Sequence, residues 1–533
     1  MTAAGPRLAS VTTLHPATPD WLDADVIGRL ADQINAADSA GTLTALAPYS
    51  LAPITPLPRS SAVDVAAAYR SARVAQHTWR HTSIRFRAAV MLRFHDLVLA
   101  RQEEVLDLIQ LENGKSRKDA FLEVADVAIT ARYYARQAES LLRPRRRRGA
   151  LPLLTKTAEL RQPKGVVGVI SPWNYPFSLA AGDVIPALLA GNTVVHKPDS
   201  QTLLTALWAV DLMREAGLPA AAWQVVAGSG AELGDALMAG ADYLMFTGST
   251  DTGRRIASDA GARLIGCSLE LGGKNALLVL PDADLDRAAE GAVRACFASS
   301  GQLCVSVERI YVPRELEAAF LDKFAARVRL MTIGAALDYS CDMGSLTSPG
   351  QLDAVRGHVD DAVAHGAVVV AGGHALPEAG PLFFAPTVLT GVTEAMECHA
   401  EETFGPVVSL YPYGDVDEAV RLANNSRYGL NASVWTRDPR RGAQIAARLR
   451  AGTVNVNEAY AAAWASVDAP MGGMGDSGLG RRHGAEGLLK YTESQTIAQQ
   501  RILGFTPPRG MSYPAWAGLL TAALKLMKKA RVS

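Results

Sequence analysis

The first strong pattern along the chain is helical and runs from about residue 63 to residue 142. Apolar residues recur there at three- and four-residue spacing, with acidic residues between them. The clearest stretch places Val105, Leu106, Leu108 and Ile109 beside Glu103, Glu104 and Asp107. This segment predicts a run of amphipathic helices with one apolar face each.

At residue 166 the pattern changes, and short apolar runs begin to alternate with helical stretches. The predicted strands are 166–170, 193–196, 223–227 and 243–247, and the predicted helices between them are 202–216, 233–238 and 254–260. Such alternation predicts a parallel sheet with helices on both faces. Sheets of this kind bind ligands at the carboxyl ends of their strands.

A second alternating region extends from about residue 295 to residue 456. Its predicted strands are 309–312, 367–371, 407–411 and 453–456, with helices between them. The fold class is therefore α/β, with two Rossmann-like domains built on parallel sheets.

Composition supports a multidomain globular protein. The chain has 533 residues, of which 49% are hydrophobic and 20% charged, and its formal net charge is zero. That balance predicts no nucleic-acid partner for the protein as a whole. A run of four arginines at 145–148 could bind nucleic acid, but it lacks interleaved aromatic residues, and a solvated turn after a helix is the favoured interpretation.

The five cysteines are few, odd in number and not in CxxC spacing: Cys267, Cys296, Cys304, Cys341 and Cys398. This usage argues against a disulfide framework and against a zinc site, so no metal is expected. It favours a reducing cytoplasm.

The two ends of the chain raise the question of targeting. Residues 1–20 lack a charged start followed by an apolar core, so no signal peptide is expected, and no stretch is long enough to span a bilayer. The tail, 514–533, combines apolar residues with a basic end. It could lie on a membrane surface as an amphipathic helix, dock on its own protein or be disordered, and membrane contact is the less favoured interpretation.

Two glycine-rich turns could receive a phosphate. Gly228, Gly230 and Gly234 follow one predicted strand, and Gly248 and Gly253 follow the next. Glycines at such a turn let the backbone and a helix N-terminus approach a phosphate. The spacing departs from the usual dinucleotide fingerprint, and a plain tight turn is about as good an explanation of either one alone.

Three polar residues stand in unusual contexts. A lone cysteine is more often core than nucleophile, but Cys304 follows Gly301 and Gln302, which are odd choices for a core segment. Glu270 lies among apolar residues, either as a paired structural charge or as a base of raised pKa. Asn174 occupies a proline-framed turn, as a turn-former or as a donor to an oxyanion.

Taken together, these segments resemble the aldehyde dehydrogenase superfamily over roughly residues 63–500. The matching motifs are Pro172-Trp173-Asn174-Tyr175-Pro176, His196-Lys197-Pro198, Phe246-Thr247-Gly248-Ser249-Thr250, Leu269-Glu270-Leu271-Gly272-Gly273-Lys274, Gly301-Gln302-Leu303-Cys304, Glu401-Glu402-Thr403-Phe404-Gly405-Pro406 and Gly478-Leu479-Gly480-Arg481. Among members, the chain looks most like the NADP-dependent succinate-semialdehyde dehydrogenases.

The resemblance implies an enzyme that oxidises an aldehyde to a carboxylic acid with NAD(P). Cys304 would be the nucleophile, and the Asn174 side chain with the Cys304 backbone N–H would hold the oxyanion. The adduct would become a thioester, and Glu270 would activate the water that hydrolyses it. All three residues are present, which disfavours a non-catalytic relative, and Glu270 favours water over coenzyme A as the acceptor.

The resemblance also implies a set of cofactor-binding residues. Lys197 would bind the adenosine ribose, Gly248 and Ser249 the pyrophosphate, Glu402 the nicotinamide ribose, and Phe404 and the Leu271 backbone the nicotinamide. The full predicted set is Trp173, Asn174, Lys197, Pro198, Asp199, Ser200, Gly230, Gly248, Ser249, Leu271, Glu402 and Phe404.

The choice between NADP and NAD depends on Ser200. NAD-preferring members often carry glutamate at this place, three residues after the lysine, and a carboxylate would repel a 2′-phosphate. A serine can donate to the phosphate, although Asp199 adds a negative charge nearby. We expect NADP, with NAD as the alternative.

The aldehyde itself is less well defined. Succinate-semialdehyde dehydrogenases commonly grip the substrate carboxylate with two arginines, and the corresponding places here are Gly182 and Ala298. Ser306 and Ser466 could replace them more weakly, whereas Tyr460 and Trp464 in the loop 459–465 suit an apolar substrate. Succinate semialdehyde is the first expectation and an aromatic or medium-chain aldehyde the second; a membrane-associated fatty aldehyde enzyme rests on the tail alone.

The resemblance divides the chain into five parts. These are an N-terminal extension (1–50), a cofactor domain (51–294) with oligomerisation strands near 151–162, a catalytic domain (295–485), an oligomerisation strand (486–503) and a tail (504–533). The strands at 153–161 and 495–502 would form a small β element that holds a homodimer or homotetramer together.

Overall fold

The fold is described from a computed structural model, which places residues 11–12, 18–36, 41–149, 155–501, 504 and 506–531. Most of the segment 1–20, from which the absence of a signal peptide was inferred, lies outside these residues. So do Leu153 and Leu154 at the start of one predicted oligomerisation strand and Ile502 at the end of the other.

The helices follow the predicted apolar periodicity closely. In the described part of the chain they are α1 (Ala24–Ala31), α2 (Ala62–Trp79), α3 (Ile84–Ala100), α4 (Gln102–Asn113), α5 (Arg117–Leu142), α6 (Pro176–Leu189), α7 (Leu203–Glu215), α8 (Gly230–Gly240), α9 (Thr250–Ala262), α10 (Leu285–Phe297), α11 (Glu317–Arg329), α12 (Pro349–Ala364), α13 (Glu397–Ala400), α14 (Val416–Asn424), α15 (Pro439–Ala446), α16 (Ala461–Ala465), α17 (Gly484–Leu489) and α18 (Tyr513–Lys529). Many begin at a serine or aspartate cap; Ser61, for example, accepts from the backbone N–H of Asp64.

The strands are short and mostly buried. They are β1 (Val11–Thr12), β2 (Thr42–Leu46), β3 (Pro53–Pro58), β4 (Arg145–Arg147), β5 (Thr155–Pro163), β6 (Val166–Ile170), β7 (Thr193–Lys197), β8 (Trp223–Val225), β9 (Tyr243–Thr247), β10 (Gly266–Glu270), β11 (Asn275–Val279), β12 (Val307–Pro313), β13 (Ile333–Gly334), β14 (Val368–Ala371), β15 (Thr387–Thr390), β16 (Val407–Tyr413), β17 (Asn431–Trp435), β18 (Thr453–Val456), β19 (Gly478–Leu479) and β20 (Thr492–Gln500).

Two large sheets form the body of the molecule, as the two-domain α/β prediction requires. The first has six strands in the order β19-β10-β9-β6-β7-β8, parallel except for β19. The second has seven strands in the order β14-β15-β16-β12-β11-β17-β18, parallel except for β14. Nearly every residue of their central strands is buried, which explains the continuous apolar runs in the sequence.

The chain crosses between the sheets earlier than the boundary expected at 294/295. β10 ends in the first sheet at Glu270, and β11 begins in the second sheet at Asn275. A later segment then returns, because β19 pairs with β10. The predicted boundary therefore does not coincide with this crossing, since apolar periodicity carries no sign of which sheet a strand joins.

The described residues before position 51 pack against the rest of the fold. β2 and β3 form an antiparallel hairpin, so the expected boundary at 50/51 cuts through it. Asn35 also donates through its side chain to the Val225 carbonyl, 2.9 Å away, which fixes this segment to the edge of the first sheet.

A third sheet of three strands, in the order β20-β5-β4, corresponds to the predicted β element. β5 and β20 pair antiparallel from Thr155↔Gln500 to Pro163↔Thr492. The arginine run, expected to be a turn, is instead the edge strand β4, and Arg147 pairs there with Glu159. Opposite charges on the two neighbouring strands stabilise this pairing, and the partner strand could not be identified from the arginine run alone.

The tail contains the helix α18, as expected if it is amphipathic. Trp516 is buried, while Leu519, Leu524 and Leu526 are exposed. Among the described residues, no helix is long and apolar enough to cross a membrane.

Candidate active site

Polar residues gather at the carboxyl ends of the strands of the first sheet, where an α/β fold binds its ligands. A cleft of about 900 Å³ opens there. It is lined by the residues that follow β6, β7 and β9, among them Trp173, Lys197, Asp199, Gly248 and Ser249, together with Gly230 at the start of α8.

Lys197 supplies positive charge in this cleft. Its side chain is buried, and its ammonium group donates to the Pro198 carbonyl at 3.1 Å, its one hydrogen bond among the described residues. Two of its three protons thus remain available to a ligand. Burial lowers the pKa of Lys197, while Asp199 opposes that shift.

The turn after β9 presents a helix N-terminus to the same cleft. Ser249 caps α9 by accepting from the Thr252 backbone N–H. Arg255, in the second turn of α9, also lines the cleft and forms an ion pair with Asp235. The sequence analysis missed Arg255, because an exposed arginine on an amphipathic helix carries no signal of the cleft it faces.

Ser200 lies next to this cleft rather than in its wall. It begins a 3-10 helix, and its hydroxyl donates to the Gly228 carbonyl at 3.3 Å.

The backbone N–H of Leu271 already has a hydrogen-bond partner, since it donates to the Ser477 carbonyl at 3.0 Å. A contact from the Leu271 backbone to a ligand would therefore use its carbonyl.

The turn that carries Asn174 is fixed by a buried ion pair. Lys115 lies 2.7 Å from Glu123, with both side chains fully buried, and also donates to the Asn174 carbonyl at 2.6 Å. Glu123 accepts from the backbone N–H groups of Phe177 and Ser178 at the start of α6. A carboxylate at a helix N-terminus satisfies donors that have no partner within the helix.

The Asn174 side chain points toward the cysteine loop. Its amide nitrogen donates to the Gln302 carbonyl at 3.0 Å. That bond uses one of its two protons and leaves the other for a ligand. Asn174 and Cys304 line the same cavity.

Cys304 follows a strained turn. Ser299 and Ser300 have φ values of 51° and 57°, in the left-handed region that side chains other than glycine seldom adopt. Asp119 holds the turn by accepting from the Ser299 backbone N–H at 2.8 Å. After the turn, the Cys304 carbonyl accepts from the Asn275 side chain at 2.7 Å. Such strain persists only where the surrounding structure fixes the backbone, as these bonds do.

Burial keeps the Cys304 thiol protonated at rest. It raises the pKa of Cys304 to about 12, and the charges of Glu270 and Glu402 raise it further, while Arg482 acts in the opposite direction. Since the thiolate is the nucleophile, attack from this site requires a base to accept the proton.

Glu270, at the end of β10, has the properties of such a base. Its side chain is buried, and one carboxylate oxygen has no hydrogen-bond partner among the described residues. Burial raises the pKa of Glu270 to about 7, while Arg482 and Lys490 limit the rise. A carboxyl group with a pKa near neutrality can accept and return a proton at physiological pH.

Glu402 lies against the crossing between the sheets. It accepts from the Gly273 backbone N–H at 2.8 Å, and a Cβ atom on Gly272 would lie 2.3 Å from its other oxygen. The missing side chain therefore lets the carboxylate approach the backbone. Burial and the charge of Glu308 raise the pKa of Glu402 to about 8.

Phe404 is held beside Trp173. Its φ is 52°, and Glu308 accepts from the backbone N–H groups of Thr403 and Phe404 while forming a buried ion pair with Lys274. The Phe404 and Trp173 rings meet edge to face, with centroids 5.6 Å apart. Trp173 belongs to the cleft, so Phe404 lies beside it, although neither Phe404 nor Glu402 lines the cleft wall.

The structure revises the substrate contacts expected from the sequence. Gly182 lines the Cys304 cavity, whereas Ala298 lines a neighbouring one. Ser306 and Ser466 are not available to a carboxylate, because their hydroxyls donate to the carbonyls of Cys296 and Ala462. The sequence could not show this, since a serine side chain readily turns to a nearby backbone carbonyl.

Tyr460 and Trp464 do line the Cys304 cavity, as their loop suggested. Three charged residues that sequence reasoning missed also line it: Asp126, Asp183 and Arg482. Arg482 directly follows the motif at 478–481, but nothing in the sequence distinguishes it from its neighbour Arg481.

The model of the aldehyde dehydrogenase family matches residues 34–497 of the chain. The chain belongs to this family. A Mycobacterium ulcerans protein named "Putative succinate-semialdehyde dehydrogenase [NADP(+)] 2" is 55% identical over 477 residues, covering 90% of this chain and 92% of the relative. The mitochondrial succinate-semialdehyde dehydrogenase of Oryza sativa is 36% identical and covers 82% of each chain.

Solved structures agree with the assignment. The NAD-dependent aldehyde dehydrogenase of Sinorhizobium meliloti superposes with a TM-score of 0.85 at 34% identity, covering 90% of this chain and 94% of that one. The chain is therefore an NAD(P)-dependent aldehyde dehydrogenase, and the predicted family, fold class and enzyme class are confirmed.

The buried Lys115–Glu123 pair yields a first prediction. Lys115→Met leaves the Glu123 charge buried without its cation, and such a loss typically costs about 3–5 kcal/mol. We expect that decrease in the free energy of unfolding, measured by urea denaturation. The matched control is Lys118→Met, since Lys118 and its partner Asp342 are 45% and 41% exposed; its cost should stay below about 1 kcal/mol. Equal effects of the two variants would contradict the assigned role of Lys115.

Proposed function

We propose that this aldehyde dehydrogenase oxidises succinate semialdehyde to succinate with NADP, through a thioester on Cys304. The observation that carries the proposal is a half-buried cysteine sharing a cavity with Asn174, while the charge of Glu270 acts on its thiol. The substrate and the preferred cofactor are supported by the names of the relatives at 54–55% identity.

The reaction begins with proton transfer. The Cys304 thiol is neutral at rest, and Glu270, with a pKa of about 7, is the base whose charge acts on it. The thiolate attacks the aldehyde carbonyl, and the resulting oxyanion accepts hydrogen bonds from the free N–H of the Asn174 amide and from the Cys304 backbone N–H. Removal of one such donor typically costs about a hundred- to a thousand-fold in rate.

The cleft beside the first sheet fits a dinucleotide. Lys197 has hydrogen-bonding capacity for a ribose, and Gly248 and Ser249 open a helix N-terminus suited to a phosphate. The charge of Glu402 acts on Cys304, and Glu402 would hold the nicotinamide end together with Phe404 and the Leu271 carbonyl. When bound, NADP supplies the acceptor for the hydride that leaves the Cys304 adduct.

Glu270 then acts a second time, after the proton that it took from Cys304 has passed to solvent. The buried carboxylate activates a water molecule against the thioester, and hydrolysis releases the acid and the free thiol. A relative that transferred the acyl group to coenzyme A would not need this base.

The preference for NADP is argued from charge. Lys197 and Arg255 line the cleft, and Ser200 stands where a glutamate would repel a 2′-phosphate. Asp199 also lines the cleft and opposes this preference. Arg255 pairs with Asp235 through one nitrogen only, so its guanidinium has further donors for a 2′-phosphate.

A second candidate substrate is an aromatic or medium-chain aldehyde. Tyr460 and Trp464 favour it, because their side chains line the cavity that contains Cys304. The ratio of kcat/KM for succinate semialdehyde to kcat/KM for butanal distinguishes the two candidate substrates.

We further propose that the protein forms a homo-oligomer through its three-stranded sheet and works in the cytoplasm. β20 is an edge strand, and its Ile497 side chain is 52% exposed. An open edge with an exposed apolar residue is suited to pairing with a second copy. The described cysteines are all free thiols, as in a reducing compartment.

The nucleophile is tested with Cys304→Ala. Aldehyde oxidation should fall below about one part in 10⁴, as for loss of a nucleophile in other enzymes. Binding of NADP, measured by quenching of tryptophan fluorescence, should persist. Cys267→Ala is the control and should keep its activity, since Cys267 lies at the far end of β10 from Glu270. Substantial turnover by Cys304→Ala would refute the mechanism.

The base is tested with Glu270→Gln and with pH. The pKa of about 7 means that Glu270 is protonated below neutrality, so the wild-type rate should rise as pH increases through 7. In Glu270→Gln this rise should disappear, and steady-state turnover should fall by about a hundred- to ten-thousand-fold. A stopped-flow record of NADPH formation and a pH profile of both proteins measure this. An unchanged profile would point to another base.

Cofactor preference is tested with Ser200→Glu. The added carboxylate should lower kcat/KM for NADP relative to NAD by on the order of 10- to 100-fold, because it repels the 2′-phosphate. Ser200→Ala, which removes the hydroxyl without adding charge, should change the ratio far less. If Ser200→Glu left the ratio unchanged, Ser200 would not lie near the 2′-phosphate.

A further inference from the structure

The cavity that contains Cys304 also contains an arginine with unused donors. Arg482 lines this cavity, and its guanidinium forms an ion pair with Asp183. That contact is its one side-chain hydrogen bond among the described residues. A guanidinium carries five N–H groups, so most of its donors remain available to a ligand in the cavity.

The position of Arg482 is fixed by its backbone. Its N–H and carbonyl both bond to Met471, and the next residue, His483, has a φ of 59°. Asp183 holds the side chain and also accepts from Lys490 at 3.3 Å and from the Tyr491 hydroxyl at 3.3 Å. Arg482 is therefore a fixed donor rather than a mobile surface arginine.

Two tyrosine hydroxyls in the same cavity lack a partner among the described residues. Tyr134 and Tyr460 are 1% and 4% exposed, line the same cavity, and form no side-chain hydrogen bond among the described residues. A Cβ atom on Gly487 would lie 2.2 Å from the Tyr134 hydroxyl and 3.4 Å from the Arg482 Cα atom. The hydroxyl of Tyr134 thus reaches the Arg482 segment because residue 487 has no side chain.

Buried polar groups are normally paired, so these unpaired donors indicate a ligand or ordered water. We propose that Arg482, together with the Tyr134 hydroxyl, forms a carboxylate-binding subsite in the Cys304 cavity. It would hold the carboxylate of a short aldehyde acid while its carbonyl group reaches Cys304. This inference rests on the proposed oxidation of succinate semialdehyde and names the residues that select it.

The charges around the subsite are balanced. Arg482 and Lys490 contribute two cations, and Asp183 and Asp126 contribute two carboxylates, with Asp126 on the same cavity wall. Recognition therefore depends on directed N–H and O–H donors more than on net charge. Planar guanidinium groups suit this role, because they bind a carboxylate through two parallel hydrogen bonds.

The subsite would also account for two small residues. Gly182, in the cavity wall, and Ala298, in the wall of the neighbouring cavity, carry no charge, so neither can bind a carboxylate as an arginine would. Arg482 belongs to a different segment of the chain, which follows β19, and its side chain lines the cavity that contains Cys304.

The test is a ratio of two substrates. For wild type, Arg482→Gln, Arg482→Lys and Tyr134→Phe, kcat/KM is measured with succinate semialdehyde and with butanal, which has the same chain length without the carboxylate. The ratio cancels any effect of Arg482 on Cys304 or Glu270, since both aldehydes need that chemistry. Loss of a charge-assisted pair should lower the ratio by about 100-fold in Arg482→Gln, mainly through KM for succinate semialdehyde.

The other variants keep the test informative if Arg482→Gln does not fold. Arg482→Lys keeps the charge opposite Asp183 but loses the paired geometry and should lower the ratio by about tenfold, as should Tyr134→Phe. Arg294→Gln is the matched control. Arg294 lines the neighbouring cavity and pairs with Glu458, so its removal should leave the ratio unchanged.

The outcomes separate the inference from the proposed function. If wild type prefers succinate semialdehyde and every Arg482 and Tyr134 variant keeps that preference, the subsite is wrong and the proposed substrate stands. If wild type oxidises butanal but not succinate semialdehyde, the proposed substrate is wrong and the subsite falls with it. A ratio that falls in Arg294→Gln as far as in Arg482→Gln would also overturn the assignment.

Discussion

The geometry of the site depends on the four-residue crossing between the two large sheets, residues 271–274. Its backbone is approached from both sides: Glu402 accepts from Gly273, and a Cβ atom on Gly273 would lie 2.6 Å from the Cys304 carbonyl. Lys274 closes the arrangement through its buried pair with Glu308. Only a segment without side chains at 272 and 273 allows the base, the cysteine loop and the Glu402 segment to meet here.

Burial then sets the chemistry of the groups that the crossing brings together. Removal of water raises the pKa of Cys304, of Glu270 and of Glu402, because each charged form loses its hydration. The Cys304 thiol is consequently neutral, and the charge of Glu270, whose pKa is about 7, acts on it. A neutral thiol is a weak nucleophile, so a reaction at this half-buried cysteine requires that its proton first be moved.

Much of the fold could be predicted from the sequence, since apolar periodicity follows the buried faces of helices and the buried strands. The strand at 243–247 and the strand at 453–456 have the predicted bounds. Cys304 and Asn174 could be named because glycine, proline and amide residues stood in segments that packing alone would fill with apolar ones. The resemblance of the motifs added Glu402 and Phe404, which periodicity could not identify.

What the sequence could not give depends on contacts between distant segments. The sheet crossing at 271–274, the pairing of the arginine strand with Glu159, and the bonds that occupy Ser306 and Ser466 all require the fold. Arg255 and Arg482 belong to the same class, because an arginine in a sequence does not reveal the cavity that it faces. In the proposed function such residues would select the ligand, whereas the motifs would supply the reaction.

The central claim, that acyl transfer passes through Cys304 and is completed by Glu270, is tested most directly by trapping the thioester. Wild-type and Glu270→Gln proteins are each mixed with succinate semialdehyde and NADP, quenched in acid at successive times during the first turnover and examined by peptide mass spectrometry. The account predicts one succinyl group on the Cys304 peptide of the wild type, formed only when NADP is present, and both slower formation and slower loss of that group in Glu270→Gln. An unmodified Cys304 peptide during turnover, or a succinyl group on another cysteine, would contradict it.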